Sequence, residues 1–317
     1  VTAPEPRTPP PPPPAVYPAA GGPPDVPGPL RVALPSPLTE VPDDRFTRRG
    51  LRLLLKRDDL LHPDLPGNKW RKLVPNLMAA RQDGHSTLLT FGGAYSGHLR
   101  ATAAAGRLLG LATVGVVRGE ELADRPLNTS LARCVADGMR LHFVARAHYR
   151  RRADPAYAAE LCARLGLPGG VHVVPEGGSN AHAVRGCAAL GRELAGHADV
   201  AAVACGTGGT LAGLAADGPP AIGVPVLRGG FLGAEVARLQ CEAFGGPRGT
   251  WRLEERFHCG GYARGTPGLE RFATDFEDRH GMPLERVYVA KLLLGITTLA
   301  EEGAFAPGTR VAVVVTG

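Results

Sequence analysis

Lysine is nearly missing from this 317-residue chain. Of 36 basic residues only four are lysine (Lys56, Lys69, Lys72 and Lys291), so the other 32 are arginine. Guanidinium stays protonated and cannot act as an amine nucleophile, whereas a lysine amine can lose its proton and form a Schiff base. Two of the four lysines fall in one run, Gly67-Asn68-Lys69-Trp70-Arg71-Lys72, which invites a chemical role for Lys69. A compositional bias that left four codons behind would look the same. Aromatics are also few, at 5%, so the 44% hydrophobic content must build a core of Ala, Val and Leu. No long basic block exists; the net charge of +6 is scattered arginine, which argues against nucleic acid as a partner. No apolar run reaches membrane-span length, and no basic-then-apolar leader opens the chain. The six cysteines form no CxxC pair and no cluster with histidine, so no metal site is expected. They sit beside Ala, Leu and Gly as buried free thiols do, which implies a reducing cytoplasm.

What is present is proline, glycine and a regular alternation. Residues 1–29 are rich in Pro, Gly and Ala, with an unbroken run from Pro9 to Pro14, and are expected to form an unstructured tail. Beyond it, short apolar runs bounded by Gly, Asp or Pro predict strands at Leu51–Lys56, Thr87–Phe91, Ala112–Val117, Arg140–Val144, Val171–Val174, Val200–Ala204, Ala221–Val226 and Arg310–Val315. Helical patterns lie between them, among them Lys69–Asp83, His98–Leu109, Ala181–Ala195, Thr210–Ala216 and Ala290–Glu302. Strand and helix in alternation predict an α/β protein with open parallel sheets.

Three glycine-rich loops follow predicted strands. Val203-Ala204-Cys205-Gly206-Thr207-Gly208-Gly209-Thr210 joins an apolar run to a helix, as a phosphate cradle does. Bare glycines let backbone N–H groups converge on an anion, and the helix N-terminus adds partial positive charge. A tight turn that uses glycine for shape alone is the plainer reading. No Gly-Lys-Ser/Thr follows, so this is not a P-loop, and Leu211 stands where a dinucleotide fingerprint needs glycine. Gly92-Gly93-Ala94-Tyr95-Ser96-Gly97-His98 places Ser96 at a helix start, where capping is its simplest role. Pro175-Glu176-Gly177-Gly178-Ser179-Asn180 is the third. Loops at strand C-termini are where open α/β sheets bind ligands.

In this order and spacing, these segments resemble the pyridoxal-phosphate enzymes of fold type II, the tryptophan synthase β-like fold. Within it they are most similar to the 1-aminocyclopropane-1-carboxylate (ACC) deaminase / D-cysteine desulfhydrase family. The resemblance runs from about Leu51 to Gly317. It rests on Lys56-Arg57-Asp58-Asp59-Leu60, Gly67–Leu73, Gly93–His98, Pro175–Asn180, Gly206–Thr210, Gly261-Tyr262, Val287-Tyr288 with Lys291, and Thr316-Gly317. It implies two open parallel-sheet domains with pyridoxal 5′-phosphate in the cleft. Residues 30–69 and 170–317 would form the large domain and 70–169 a small inserted one. It further implies that Lys69 joins covalently to the cofactor aldehyde and that Ser96, Tyr262 and Tyr288 complete the catalytic set. Gly206, Thr207, Gly208, Gly209 and Thr210 would hold the phosphate with help from Lys72. Tyr288 would lie near the cofactor ring, and the Thr316 hydroxyl would face the pyridine nitrogen. The implied reaction is α,β-elimination from a small amino acid to a keto acid and ammonia, by a homodimer.

The chain departs from the family pattern at two places. Ser96-Gly97-His98 lacks the amide that relatives place at 97, and Val289 stands where deaminases carry an acid and desulfhydrases a threonine. Valine does neither job, which favours a desulfhydrase-like reaction over ring opening. The alternatives are a low-turnover cofactor-binding homologue, and a β-replacement, racemase or specialised biosynthetic enzyme on the same scaffold. A nucleotide-binding oxidoreductase fits less well, since no acidic residue ends the strand after the glycine-rich loop.

Overall fold

The apolar runs become strands buried on both faces. In a computed structural model, residues 20–21, 26–167 and 169–316 are described. The strands are β1 (Ala20–Gly21), β2 (Ala33–Leu34), β3 (Leu38–Val41), β4 (Arg52–Arg57), β5 (Thr87–Gly92), β6 (Ala112–Arg118), β7 (Met139–Val144), β8 (Val171–Val174), β9 (Val200–Cys205), β10 (Ala221–Pro225), β11 (Trp251–Leu253) and β12 (Arg310–Val315). The helices are α1 (Asp44–Thr47), α2 (Asn68–Gln82), α3 (Gly97–Leu109), α4 (Thr129–Ala136), α5 (Arg146–Tyr149), α6 (Pro155–Arg164), α7 (Ala181–Leu194), α8 (Gly209–Asp217), α9 (Leu232–Phe244), α10 (Pro267–His280) and α11 (Val289–Glu301). All six residues of β5 are buried, as are the last five of β12 and of β9, which is the signature of strands covered by helices on both sides.

Two sheets result. The larger has the order β11-β10-β9-β12-β4-β3, parallel except for the β3 edge, which runs antiparallel to β4. The smaller has the order β7-β6-β5-β8 and is parallel throughout. After the β1–β2 pair the chain thus enters the large sheet, builds the small one, and returns to the large. The expected split at residue 170 needs correction. β8 pairs with β5, Leu88 opposite His172, so the small unit extends through Val174 and the return crossing comes after it.

The expected tail also needs correction. Residues 1–19 and 22–25, including the proline run, lie outside the described residues. Val26 and Leu30, however, are buried in one cluster with Leu61, Trp70, Leu73 and Val174. Trp70 Nε1 donates to Leu30 O (2.8 Å), and His62 Nε2 lies 2.9 Å from Pro29 O. Burying each apolar side chain gains about 1.5–3 kcal/mol, which offsets an ordering cost of roughly 1–2 kcal/mol per residue.

Three helices meet where small residues let backbones approach. A Cβ on Gly186 of α7 would lie 2.1 Å from Arg71 O of α2, a carbonyl that loses its usual helical donor because Pro75 sits four residues on. A Cβ on Gly213 of α8 would lie 2.3 Å from Val184 O of α7. This packing brings the N-terminal turns of α2 and α8 together, and with them Lys72 and the Gly206–Thr210 loop.

Candidate active site

Every loop of the candidate site follows the C-terminal end of a strand: Asp58 after β4, Gly93–Ser96 after β5, Pro175–Ser179 after β8, Gly206–Gly208 after β9 and Thr316 after β12. Lys69 stands in the first turn of α2, and the backbone before it is fixed from two sides. Gly67 has φ +63°, and a Cβ there would meet Thr316 O at 1.8 Å, so only glycine fits. Gly67 N donates to Asp58 O (3.0 Å). Asp58 is itself locked in a buried network. Arg71 Nε and one Nη donate to its two carboxylate oxygens (2.7 and 2.8 Å), and Ser36 Oγ donates to it (2.6 Å). Arg71 also pairs with Glu193 (2.9 Å), which takes Lys56 Nζ at 2.6 Å. Lys56 and Arg71 are therefore structural cations that fix the backbone just before Lys69.

Lys69 is half-buried, its Nζ 3.5 Å from Thr316 O and 5.9 Å from the centre of the Tyr288 ring. Burial is the main cause that lowers its pKa to about 8; Lys72 and Arg100 act in the same direction, against Glu285. An amine so placed is partly neutral near neutral pH, as a nucleophile or proton acceptor requires.

Lys72, one helical turn on, is buried. Its Nζ donates to Gly177 O and Ser179 Oγ, both at 3.1 Å. None of the ion pairs among the described residues involves it, and burial holds its pKa below the usual lysine range. Ser179 Oγ lies 2.6 Å from Thr207 Oγ1, and Asn68 Nδ2 donates to Thr210 Oγ1 (2.9 Å). A Cβ on Gly209 would lie 2.6 Å from Ser179 Oγ and 3.3 Å from Lys72 Nζ. Gly208 opens α8 with φ +79°. A buried ammonium, several hydroxyls and a glycine-lined helix N-terminus converge at one spot without a carboxylate. That donor set fits a phosphate dianion. Beside it a pocket of about 180 Å³ opens between Gly206, Arg228, Phe231 and His258.

The opposite wall is the Ser96-Gly97-His98 turn. Ser96 Oγ caps α3 by accepting from Leu99 N (3.3 Å). A Cβ on Gly97 would lie 3.4 Å from Lys69 Cε and 3.7 Å from an Arg100 nitrogen, so the bare face of Gly97 looks onto Lys69. His98 does not fill that space. It is buried the other way, with Nε2 2.8 Å from Thr90 Oγ1. Thr90 spends its one hydroxyl hydrogen on Val174 O (2.8 Å), so Nε2 carries the proton. Burial, with the neighbouring Lys72 and Lys69, lowers the His98 pKa to about 3, and the ring is a neutral structural element.

The tyrosines come from the last third of the chain. Tyr288 meets Tyr262 edge to face with centroids 6.1 Å apart, and its hydroxyl would be 3.4 Å from a Cβ on Gly206. Burial raises both phenols above their usual range, so both are neutral proton holders. Glu285 accepts from the backbone N–H of Val287, Tyr288 and Val289 and fixes Tyr288 at the head of α11. Lys291 is wholly buried and donates to His258 O (3.0 Å) and Gly261 O (2.7 Å), which clamps the turn that carries Tyr262. Cys259 and Ala263 flank that turn at φ +50° and +53°, a conformation that costs each about 1–3 kcal/mol. Val289 points away from the cleft into the large-sheet core.

The fold thus brings together Lys69, Lys72, the 206–210 loop, Tyr288 and the backbone of Thr316, with Tyr262 part-exposed at the rim. Sequence reasoning missed Ser179 as the bridge between Lys72 and Thr207, Glu285 as the cap beneath Tyr288, and the Asp58–Arg71–Glu193–Lys56 network. Ser179 and most of the network lay inside quoted motifs, but Lys72, Thr207 and Glu193 are far from them in sequence, whereas Glu285 is two to four residues from the N–H groups it caps and no motif marked it.

The chain is similar to several known proteins. A D-cysteine desulfhydrase/ACC deaminase from Arabidopsis thaliana, bifunctional and mitochondrial by name, is 35% identical over 181 residues. That match covers 52% of this chain and 44% of the relative, so the chain spans less than half of that protein. A crystal structure of an ACC deaminase homologue matches with a TM-score of 0.76 at 26% identity, covering 89% of each chain. A fungal L-serine ammonia-lyase from Rhizomucor miehei shares the fold alone, with a TM-score of 0.61 at 18% identity over 89% of this chain and 93% of that one. Residues 31–317 match the family described as pyridoxal-phosphate dependent enzymes, and the chain belongs to that family.

Proposed function

We propose that the protein catalyses α,β-elimination from a small amino acid, D-cysteine desulfhydrase-like rather than ACC deaminase-like. For D-cysteine the balance is substrate plus water giving pyruvate, hydrogen sulfide and ammonia. The observation that carries this reading is the pairing of two lysines one turn apart on α2. One is an unpaired buried cation at a glycine-rich helix N-terminus; the other is a half-buried amine with its pKa lowered to about 8. Pyridoxal phosphate, when bound, supplies the electron sink for the substrate α-carbon.

The residues of the chain divide the remaining work. Lys72, Ser179, Thr207, Thr210 and the N–H groups of Gly206–Gly209 grip the phosphate. Lys69 would hold the aldehyde end and, as a neutral amine, can take the α-proton, and the Ser96 hydroxyl would assist proton transfer. Tyr288 and Tyr262 keep their phenolic protons and can give one to the departing thiolate. The Thr316 hydroxyl would serve as the partner of the pyridine nitrogen. Val289 offers no acid or hydroxyl to the cleft, which disfavours ring opening. A cytoplasmic setting fits the cysteines, none of which is in a disulfide, and a homodimer is the assembly the resemblance implies.

The test is keto-acid release by the holoenzyme from D-cysteine, β-chloroalanine and ACC. Pyruvate from the first two and no product from ACC is expected. Turnover of ACC would reverse the assignment. The bare Gly97 favours a second reading, a homologue that binds cofactor with little turnover; retained cofactor with no keto acid from any substrate would establish it.

A further inference from the structure

Far from the cleft, at the other end of α2, three metal-ligating side chains meet. Asp83 is the residue on which α2 ends, His85 lies in the turn into β5, and His172 is in β8. One ligand atom from each lies within 4.8 Å of the others. The turn is firmly built. Asp83 N donates to Ala79 O (3.0 Å), Gly84 N to Arg81 O (3.1 Å) and His85 N to Ala80 O (2.8 Å), with Gly84 at φ +69°. His172 is held in register opposite Leu88, and its ring centre is 5.9 Å from that of His85. His85 Nδ1 and His172 Nε2 are both buried without a hydrogen-bond partner among the described residues. Buried polar atoms without partners are rare and costly, and two on facing rings mark a place that gains from a shared electrophile.

We propose that Asp83, His85 and His172 form a binding site for one late first-row divalent cation, zinc by preference. Two imidazoles and a carboxylate suit zinc and its neighbours, and two nitrogen donors disfavour calcium and magnesium. Three protein donors leave a fourth position for water or a further ligand. In sequence only Asp83 and His85 are close, two residues apart; the parallel pairing of β5 with β8 brings His172 to them. The ion would pin the C-terminal end of α2 to β8, while the N-terminal end of the same helix carries Lys69 and Lys72. The site is independent of the substrate assignment.

The experiment uses holoenzyme stripped with a chelator, desalted, and titrated with zinc chloride by calorimetry, with thermal unfolding followed in parallel. One zinc per chain and a higher unfolding midpoint are expected. His85→Gln and His172→Gln should each weaken binding about tenfold or more, since even outer-sphere partners cost that much. Retained cofactor absorbance confirms that the variants fold. Cobalt substitution of the unaltered protein supplies a second readout, expected to give a spectrum without a thiolate charge-transfer band. No binding, binding untouched in both variants, or a thiolate band pointing to the cysteines would overturn the proposal.

Discussion

The two sides of the cleft are built on different terms. On the phosphate side, backbone and short side chains are interlocked. Lys72, Ser179, Thr207, Thr210 and Asn68 are joined by hydrogen bonds of 2.6–3.1 Å, and glycine is required by contacts that any Cβ would violate. On the ring side the contacts are looser. Lys69 reaches Thr316 O at 3.5 Å, Tyr262 is 38% exposed, and Gly97 leaves open the face that a longer side chain would fill. A phosphate asks for the same donors whatever the substrate, whereas the ring side must suit one substrate. Anchoring is therefore tight and reactivity adjustable, on either end of a single turn of α2.

This contrast can be broken by substitution. Lys69→Ala should have the largest effect, lowering keto-acid release by roughly 10²–10⁴-fold while reversible cofactor binding through the phosphate side survives; equilibrium dialysis and turnover measure the two separately. Arg71→Met attacks what both sides share. It leaves Asp58 a buried charge without its cation and Glu193 with Lys56 alone, and should cost about 3–5 kcal/mol of stability, read as the urea unfolding midpoint. Lys72→Met should act on the phosphate side alone, through one charged hydrogen-bonding group of about 1.5–3 kcal/mol. That is roughly a ten- to hundredfold weaker cofactor Kd.

The smallest effect concerns pH. Lys69 has a pKa of about 8 against an ordinary 10.5, so its neutral, reactive fraction rises with pH and levels off above about 8. Cofactor capture by the stripped enzyme should follow that curve. Arg100 is one of the charges that lower the Lys69 pKa, so Arg100→Gln should move the midpoint upward. A midpoint that stays put in stopped-flow absorbance would remove Arg100 from the account.

The sequence made one side more legible than the other for the same reason. Glycines at 208 and 209 are forced by close approach, so their pattern survives in the primary structure and points to an anion. The strand at Arg310–Val315 fell where expected because a buried parallel strand needs an unbroken apolar run; Val171–Val174 fell where expected too, though it is an edge strand with only Val174 buried. The edge strands β3 and β11 escaped notice, being short and only partly apolar. So did the pairing of β8 with β5, since no local pattern records which sheet a strand joins. Lysine scarcity was the best single clue. Lys56, Lys72 and Lys291 prove buried and Lys69 half-buried, each holding a defined set of partners. The role of His98 was not legible, because its tautomer depends on Thr90 and Val174.

The central claim is that the Lys69 amine is the attachment point of the cofactor. Cofactor-saturated enzyme reduced with borohydride and digested for mass spectrometry tests it directly. The account predicts a phosphopyridoxyl group on the peptide that carries Gly67-Asn68-Lys69, and none on Lys56, Lys72 or Lys291. An unmodified Lys69, or the label on another lysine, would contradict it.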